Sequence, residues 1–315
     1  MERSHVEGVR IEGFRCVKAV DLRLTRLHAL IGPNDSGKSS ILRAIQKNGV
    51  IAWWVAGLGS FAGGQWGSAA FPALNQVSFH DDRPRRIQEA FRTRTILRLD
   101  PDAMRTPREL IPSTKALWFA DEKGLGLPAL YDALLSRDIP AFSAISERMR
   151  QLFPTVRALR MHNASATTKQ LGLTLVDGAE VGPAEMSEGM LYWLAFAIIE
   201  HLAPQAILLI EEPENGLHPA RIKEVMRVLR DVSQRTQIIL ATHSPLVINE
   251  LRAEEVTIVT RTAERGTICT PMTATKHFAT RSKVYALGEL WLSYADGDVE
   301  RELVDGDDVG AAKAG

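Results

Sequence analysis

Three constellations in this chain have the residue types and spacing for phosphate chemistry. Gly32-Pro33-Asn34-Asp35-Ser36-Gly37-Lys38-Ser39, followed by Ser40, satisfies the GxxxxGK[ST] pattern. Glycines let such a backbone curl until its N–H groups and a helix N-terminus face phosphate oxygens. Lys38 is expected to supply a point charge to the β/γ-phosphates, and the Ser39 hydroxyl to ligate Mg²⁺. The second constellation is Glu211-Glu212-Pro213-Glu214. Glu211 is expected to hold Mg²⁺ through water, and Glu212 to orient and deprotonate an attacking water. The third is Thr242-His243-Ser244-Pro245, where His243 is expected to sense a γ-phosphate.

The elements that must position these groups are legible around them. Leu27, Ala29, Leu30 and Ile31 lead into the glycine loop as a strand, and Ile41, Leu42, Ala44 and Ile45 lead out at helical spacing. Ala206–Ile210 and Ile238–Ala241 are unbroken apolar runs, as parallel strands covered on both faces require. Acids and histidine therefore fall at strand ends, where α/β sheets bind ligands. Between them lies Met186-Ser187-Glu188-Gly189-Met190-Leu191, ahead of an apolar helix over Trp193–Ile199.

In that order the motifs resemble the ABC-type ATPase heads of the SMC, RecF and OLD (overcoming lysogenization defect) group, broadly AAA-family ATPases. The resemblance covers roughly residues 6–275. It includes Val9-Arg10-Ile11-Glu12-Gly13-Phe14-Arg15, similar to the opening strand of such heads, and Asn215-Gly216-Leu217-His218-Pro219, similar to their D-loop. It implies that Ser187 and Gly189, matching an LSxGx signature, contact the nucleotide of an opposing subunit. ATP and Mg²⁺ follow as cofactors, with an ATP-dependent homodimer or larger even oligomer. Glu211 stands where Asp is commoner, which lengthens the metal-binding arm. An LSGGQ signature and a Thr or Ser after the proline, usual in transporter ATPases, do not occur here. A transporter subunit and a non-hydrolysing nucleotide sensor are the alternative readings.

Apolar residues make up 45% and charged residues 24% of 315, with zero formal net charge. Nothing global draws the chain to nucleic acid or membrane. Cys16 and Cys269 have neither disulfide nor metal spacing, and no apolar stretch reaches the roughly 18 residues of a membrane span. A cytoplasmic protein is expected.

The fold class expected is α/β: a P-loop NTPase head over 1–275 and a short, partly acidic tail over 276–315. Val6–Ile11, Ala19–Leu24 and Leu27–Ile31 are expected as an antiparallel β-layer before the loop. A smaller lobe, roughly 80–200, is expected from strands Thr95–Leu99 and Leu117–Phe119 and helices Leu127–Leu135 and Ile139–Leu152. Residues 50–70, rich in Gly, Ala and Trp, read as irregular. A closing hairpin is expected over Val256–Arg261 and Thr267–Met272, and a helix over Pro219–Ser233. Gln76 or Gln88 would supply the family's Q-loop glutamine. The Arg83–Arg108 cluster is read either as a track for a phosphate backbone, with DNA as a partner, or as a solvated face. The apolar residues Val284, Leu287, Leu290, Trp291 and Leu292 are expected to dock either on the chain's own head or on a partner. The tail is expected to be too short for a Toprim nuclease domain, so that a separate effector such as a nuclease is the expected partner.

Overall fold

The structure is a computed structural model; it describes residues 5–47, 50–55, 59–62, 94–276 and 278–295. The chain divides into two compact units. The first comprises residues 1–96, 205–213 and 233–315, and the second residues 97–204 and 214–232.

The first unit is built on a six-stranded sheet. Its members are β3 (Leu27–Ile31), β6 (Arg94–Leu97), β11 (Ile207–Glu211), β12 (Gln237–Thr242), β13 (Val256–Thr262) and β14 (Gly266–Pro271), in the order β14-β13-β3-β12-β11-β6. β13, β3, β12 and β11 run parallel, and β13–β14 is the antiparallel hairpin expected from its two apolar runs. Every residue of β3, β11 and β12 is buried, which is why these strands read as continuous apolar runs rather than alternating ones. A second sheet, β2-β1-β4-β5, holds β1 (Val6–Phe14), β2 (Val17–Arg23), β4 (Val50–Val55) and β5 (Gly59–Ala62). Helix α1 (Lys38–Gln46) buries Ile41, Leu42, Ala44 and Ile45 in a core shared with Val9, Ile11, Leu209 and Ile239.

The second unit carries β7 (Arg108–Glu109), β8 (Val156–Asn163), β9 (Thr168–Leu175) and β10 (Glu180–Val181), paired antiparallel around β9. Its helices are α2 (Pro101–Arg105), α3 (Leu127–Arg137), α4 (Ile139–Leu152), α5 (Glu188–Ile199) and α6 (Pro219–Val232). Residues 191–199 of α5 are all buried, and the buried Tyr131 on α3 donates to the Leu194 carbonyl at 2.9 Å.

Four expectations need correction. β3 belongs to the parallel core rather than the N-terminal antiparallel layer, because a strand apolar on both faces must be covered on both. Residues 50–62 are not irregular throughout: β4 and β5 extend the antiparallel layer, and Trp53 is 4% exposed within its core. The strand near Thr95 lies in the six-stranded sheet instead of the smaller lobe. Leu117–Phe119 forms no strand; Leu117 and Phe119 are buried from a turn-rich segment whose Leu117 carbonyl accepts from Ala203 N at 3.0 Å. Near the C-terminus, α7 (Pro245–Asn249), α8 (Phe278–Arg281) and α9 (Leu287–Ala295) complete the helices described. Leu290 and Trp291 are buried and Gly288 N donates to Asn249 Oδ1 at 2.7 Å, so this part of the apolar stretch packs on its own chain, while Val284 and Leu292 are exposed. No helix of the described residues is long and apolar enough to cross a membrane.

Candidate functional site

The register of the parallel strands sets the site. Ile31 aligns with Thr242, and Ala241 with Glu211. The residues that follow, Gly32, His243 and Glu212, therefore leave three adjacent strands at one sheet edge.

The loop from Gly32 to Ser39 is shaped by what its glycines avoid. A Cβ on Gly32 would collide with the Val259 carbonyl of β13, and one on Gly37 with the Thr267 hydroxyl of β14. Gly37 also sits at φ +111, where L side chains are strained, and Asp35 at φ +65. Helix α1 begins with no side-chain cap and no acid in its first turn. Its amide ends and positive dipole thus suit an external anion. Pro33, Asn34, Asp35 and Ser39 are exposed, Gly32, Ser36 and Lys38 buried, and Gly37 and Ser40 half-buried. Lys38 Nζ donates to the Gly32 and Pro33 carbonyls at 2.7 and 2.9 Å, folding the ammonium over the loop. The Ser40 hydroxyl lies 3.3 Å from Cys16 Sγ. The Ser36 hydroxyl is buried and has no hydrogen-bond partner among the described residues. These features fit a nucleotide phosphate chain.

Glu211 is 8% exposed at the end of β11, and the next residue turns sharply. Glu212 adopts φ +48 while its N–H still donates to the Ala241 carbonyl at 2.7 Å. Its carboxylate Oε2 lies 2.6 Å from His243 Nδ1. His243 reaches this position because Thr242 Oγ1 accepts from Ser244 N at 2.9 Å, bending the chain off β12, and Pro245 then starts α7. The His243 side chain is 57% exposed against 24% for Glu212. A half-buried carboxylate oriented by an imidazole has the means to accept a proton from water and pass or share it.

Ser187 and Gly189 lie in the second unit. Ser187 is the N-cap of α5, its Oγ accepting from Met190 N at 3.4 Å, with Glu188 in the first turn. Gly189 permits a close approach: its Cβ would stand 2.9 Å from the Gly216 carbonyl. Gly216, at φ +67, in turn has the Tyr192 ring 2.6 Å from where its own Cβ would be. The sequence reading missed Arg105, whose guanidinium donates to the Pro183 and Met186 carbonyls at 3.1 and 3.0 Å and holds the segment entering Ser187. Arg105 was visible only as one member of the arginine cluster. Arg94 of that cluster is likewise engaged, donating to the Ile45 carbonyl at 3.1 Å over the Trp53 ring. Arg83, Arg85, Arg86 and Arg92 lie outside the described residues, as do Gln76 and Gln88.

The fold is that of a P-loop ATPase head. The family model described as "AAA domain, putative AbiEii toxin, Type IV TA system" matches residues 68–249, and that described as "AAA ATPase domain" matches residues 5–48. The first spans more than half of the chain, which therefore belongs to this AAA family. Among solved structures, the SMC head bound to the C-winged helix domain of ScpA matches with a TM-score of 0.53 at 15% identity, covering 84% of this chain and 97% of that one. The SMC head domain from Thermotoga maritima matches with a TM-score of 0.45 at 13% identity, over 85% and 98%. At 15% identity the first of these likenesses is one of fold alone. An OLD nuclease from Thermus scotoductus is 45% identical over 40 residues, 13% of this chain but only 8% of that protein. Family membership supports nucleotide binding and ATPase activity in general.

Proposed function

We propose that the chain binds Mg·ATP at the Gly32–Ser40 loop, hydrolyses it with Glu212, and uses the cycle to join and separate two heads. The observation that carries this reading is the Glu212–His243 pair, 2.6 Å apart at the sheet edge from which the phosphate loop also leaves. Lys38 and the α1 N-terminus compensate the phosphate charge. Ser39 and Glu211 would hold Mg²⁺, which when bound neutralises charge between the phosphates. Glu212 takes a proton from water as the water oxygen bonds to the γ-phosphorus; the bond to the bridging oxygen breaks, giving ADP and phosphate. With Nδ1 donating to Glu212, His243 can also donate from Nε2 to a γ-phosphate oxygen when the ring carries both protons.

Ser187 keeps a hydroxyl proton to donate although its oxygen caps α5, and Gly189 beside it keeps that helix start open. In this reading both serve the nucleotide of a second copy. Coupling to DNA or to a separate effector protein such as a nuclease, in genome maintenance or anti-phage defence, completes the proposal. The toxin–antitoxin wording of the matched family supports the defence branch.

Turnover and association test it together. Lys38→Ala is expected to lose nucleotide binding, because a charge-assisted contact of roughly 1.5–3 kcal/mol disappears. Glu212→Gln should bind ATP, stop hydrolysing it by about 100-fold or more, and accumulate as a dimer in light scattering. Normal hydrolysis by Glu212→Gln would remove Glu212 as the base, and normal affinity in Lys38→Ala would remove the loop as the nucleotide site.

A further inference from the structure

The hairpin β13–β14 carries no residue of the three motifs, yet it backs the phosphate loop at two points. The Val259 carbonyl stands where a Cβ on Gly32 would be, and Thr267 Oγ1 where one on Gly37 would be. Thr267 is 1% exposed. Its hydroxyl donates to the Ser36 carbonyl at 3.0 Å, and its N–H to the Cys16 carbonyl at 3.4 Å. Cys16 sits in the turn between β1 and β2, so one buried threonine joins that turn to the loop.

The Ser36 carbonyl and the Gly37 N–H belong to one planar peptide. No cis peptide occurs among the described residues, and in a trans peptide the C=O and N–H point in opposite directions. With the carbonyl held toward β14, the Gly37 N–H must point away from β14. Flipping this peptide plane would cost little intrinsically, because glycine accepts either sign of φ. The hydroxyl of Thr267 is what resists the flip.

We propose that Thr267 is a positioning residue for the phosphate loop: it locks the Ser36–Gly37 peptide so that the Gly37 amide faces the bound phosphates. Thr267 does not touch the nucleotide; it acts through the loop's backbone. The inference rests on the loop being the nucleotide site. A peptide free to flip would present a carbonyl oxygen to a phosphate in part of the population, and affinity would fall by the fraction lost.

The test compares Thr267→Val, which keeps the shape and removes the donor, with Thr267→Ser, which keeps the donor. ADP with Mg²⁺ is titrated calorimetrically into the full chain, with Lys38→Ala alongside. Thr267→Val is expected to weaken ADP binding about five- to tenfold, as loss of one hydrogen bond implies, and Thr267→Ser to bind within about twofold of wild type. In turnover, Thr267→Val should raise KM by a similar factor and leave kcat nearly unchanged. Wild-type affinity in Thr267→Val, beside lost affinity in Lys38→Ala, overturns the positioning role and leaves the nucleotide site standing. Equal affinities in wild type and Lys38→Ala overturn the site itself. Should Thr267→Val fail to fold, the amide of Gly37 decides. Its hydrogen exchange in wild type and Thr267→Ser should slow on ADP binding, and unchanged exchange in both refutes the lock.

Discussion

Glu212 is the residue at which local preference and function part company. An L residue in the left-handed region costs roughly 1–2 kcal/mol relative to glycine, and glycine itself carries a chain-entropy cost of about 0.5–1 kcal/mol. Glu212→Gly is therefore expected to change unfolding free energy by less than about 1 kcal/mol while abolishing turnover. Glu212→Val, β-branched at φ +48, should lose roughly 2 kcal/mol or more. Chemical denaturation reads both. A large loss in the glycine variant would mean that the carboxylate's contact with His243 stabilises the fold more than the strain destabilises it. The sequence showed two adjacent acids and their strand end, but a positive φ on a glutamate has no signature in residue type. His28 was hidden in the same way, a polar residue inside the apolar run of β3. Its neutral ring is satisfied on both sides: Thr25 Oγ1, which donates to the Leu27 carbonyl, lies 3.3 Å from Nδ1, and Thr257 Oγ1 lies 3.0 Å from Nε2.

At the scale of elements, the start of α5 and the loop before α6 interlock through Gly189, Gly216 and Tyr192. Gly216→Ala puts a methyl against the Tyr192 ring and forces an L residue to φ +67. A destabilisation of about 2–4 kcal/mol is expected. In a Tyr192→Leu background only the backbone part should remain, so the double-mutant cycle should show a coupling of about 1 kcal/mol or more. Additive losses would show that the ring does not confine Gly216. Elements with strong periodicity or unbroken apolar runs were legible in advance: β3, β11, β12, α1, α4 and the β13–β14 hairpin. Val50–Val55 was not, because its glycine- and tryptophan-rich surroundings suggested loop while pairing with β1 made it a strand. Leu117–Phe119 erred the other way, since three apolar residues fit a strand or a buried turn equally well. Thr267 escaped notice because its partner is a backbone carbonyl, which no side-chain pattern reveals.

Across the whole molecule, acid is expected to loosen the two units in different windows. Burial lowers the His28 pKa to about 4 in the first unit. The unfolded chain takes up this proton near pH 6.5 and the folded one only near 4, so stability is full above about 6.5 and falls between there and 4. In the second unit the Arg148 guanidinium, donating to both Glu224 oxygens at 2.8 and 2.7 Å, holds that carboxyl at about 2, with help from Arg227 and against burial. Its contribution is present above about 4.5 and disappears between there and 2. Hydrogen exchange followed unit by unit should show the first unit opening before the second as pH falls. His28→Gln should flatten the first window and Glu224→Gln the second. Simultaneous opening at every pH would mean the units unfold as one.

The order of strands in the six-stranded sheet also bears on how the chain is made. β3 precedes the phosphate loop, yet its partners β12 and β13 are synthesised far later: Leu27 aligns with Ile238, about 210 residues on, an interval of roughly 10–40 s at ribosomal speeds of ~5–20 residues/s. During that interval a five-residue strand, apolar apart from His28, has no parallel partner to join, whereas residues 97–204 already hold most of the second unit. Leu27–Ile31 therefore lacks its strand partners until β12 emerges, and the phosphate loop acquires its shape only once β13 and β14 have been made.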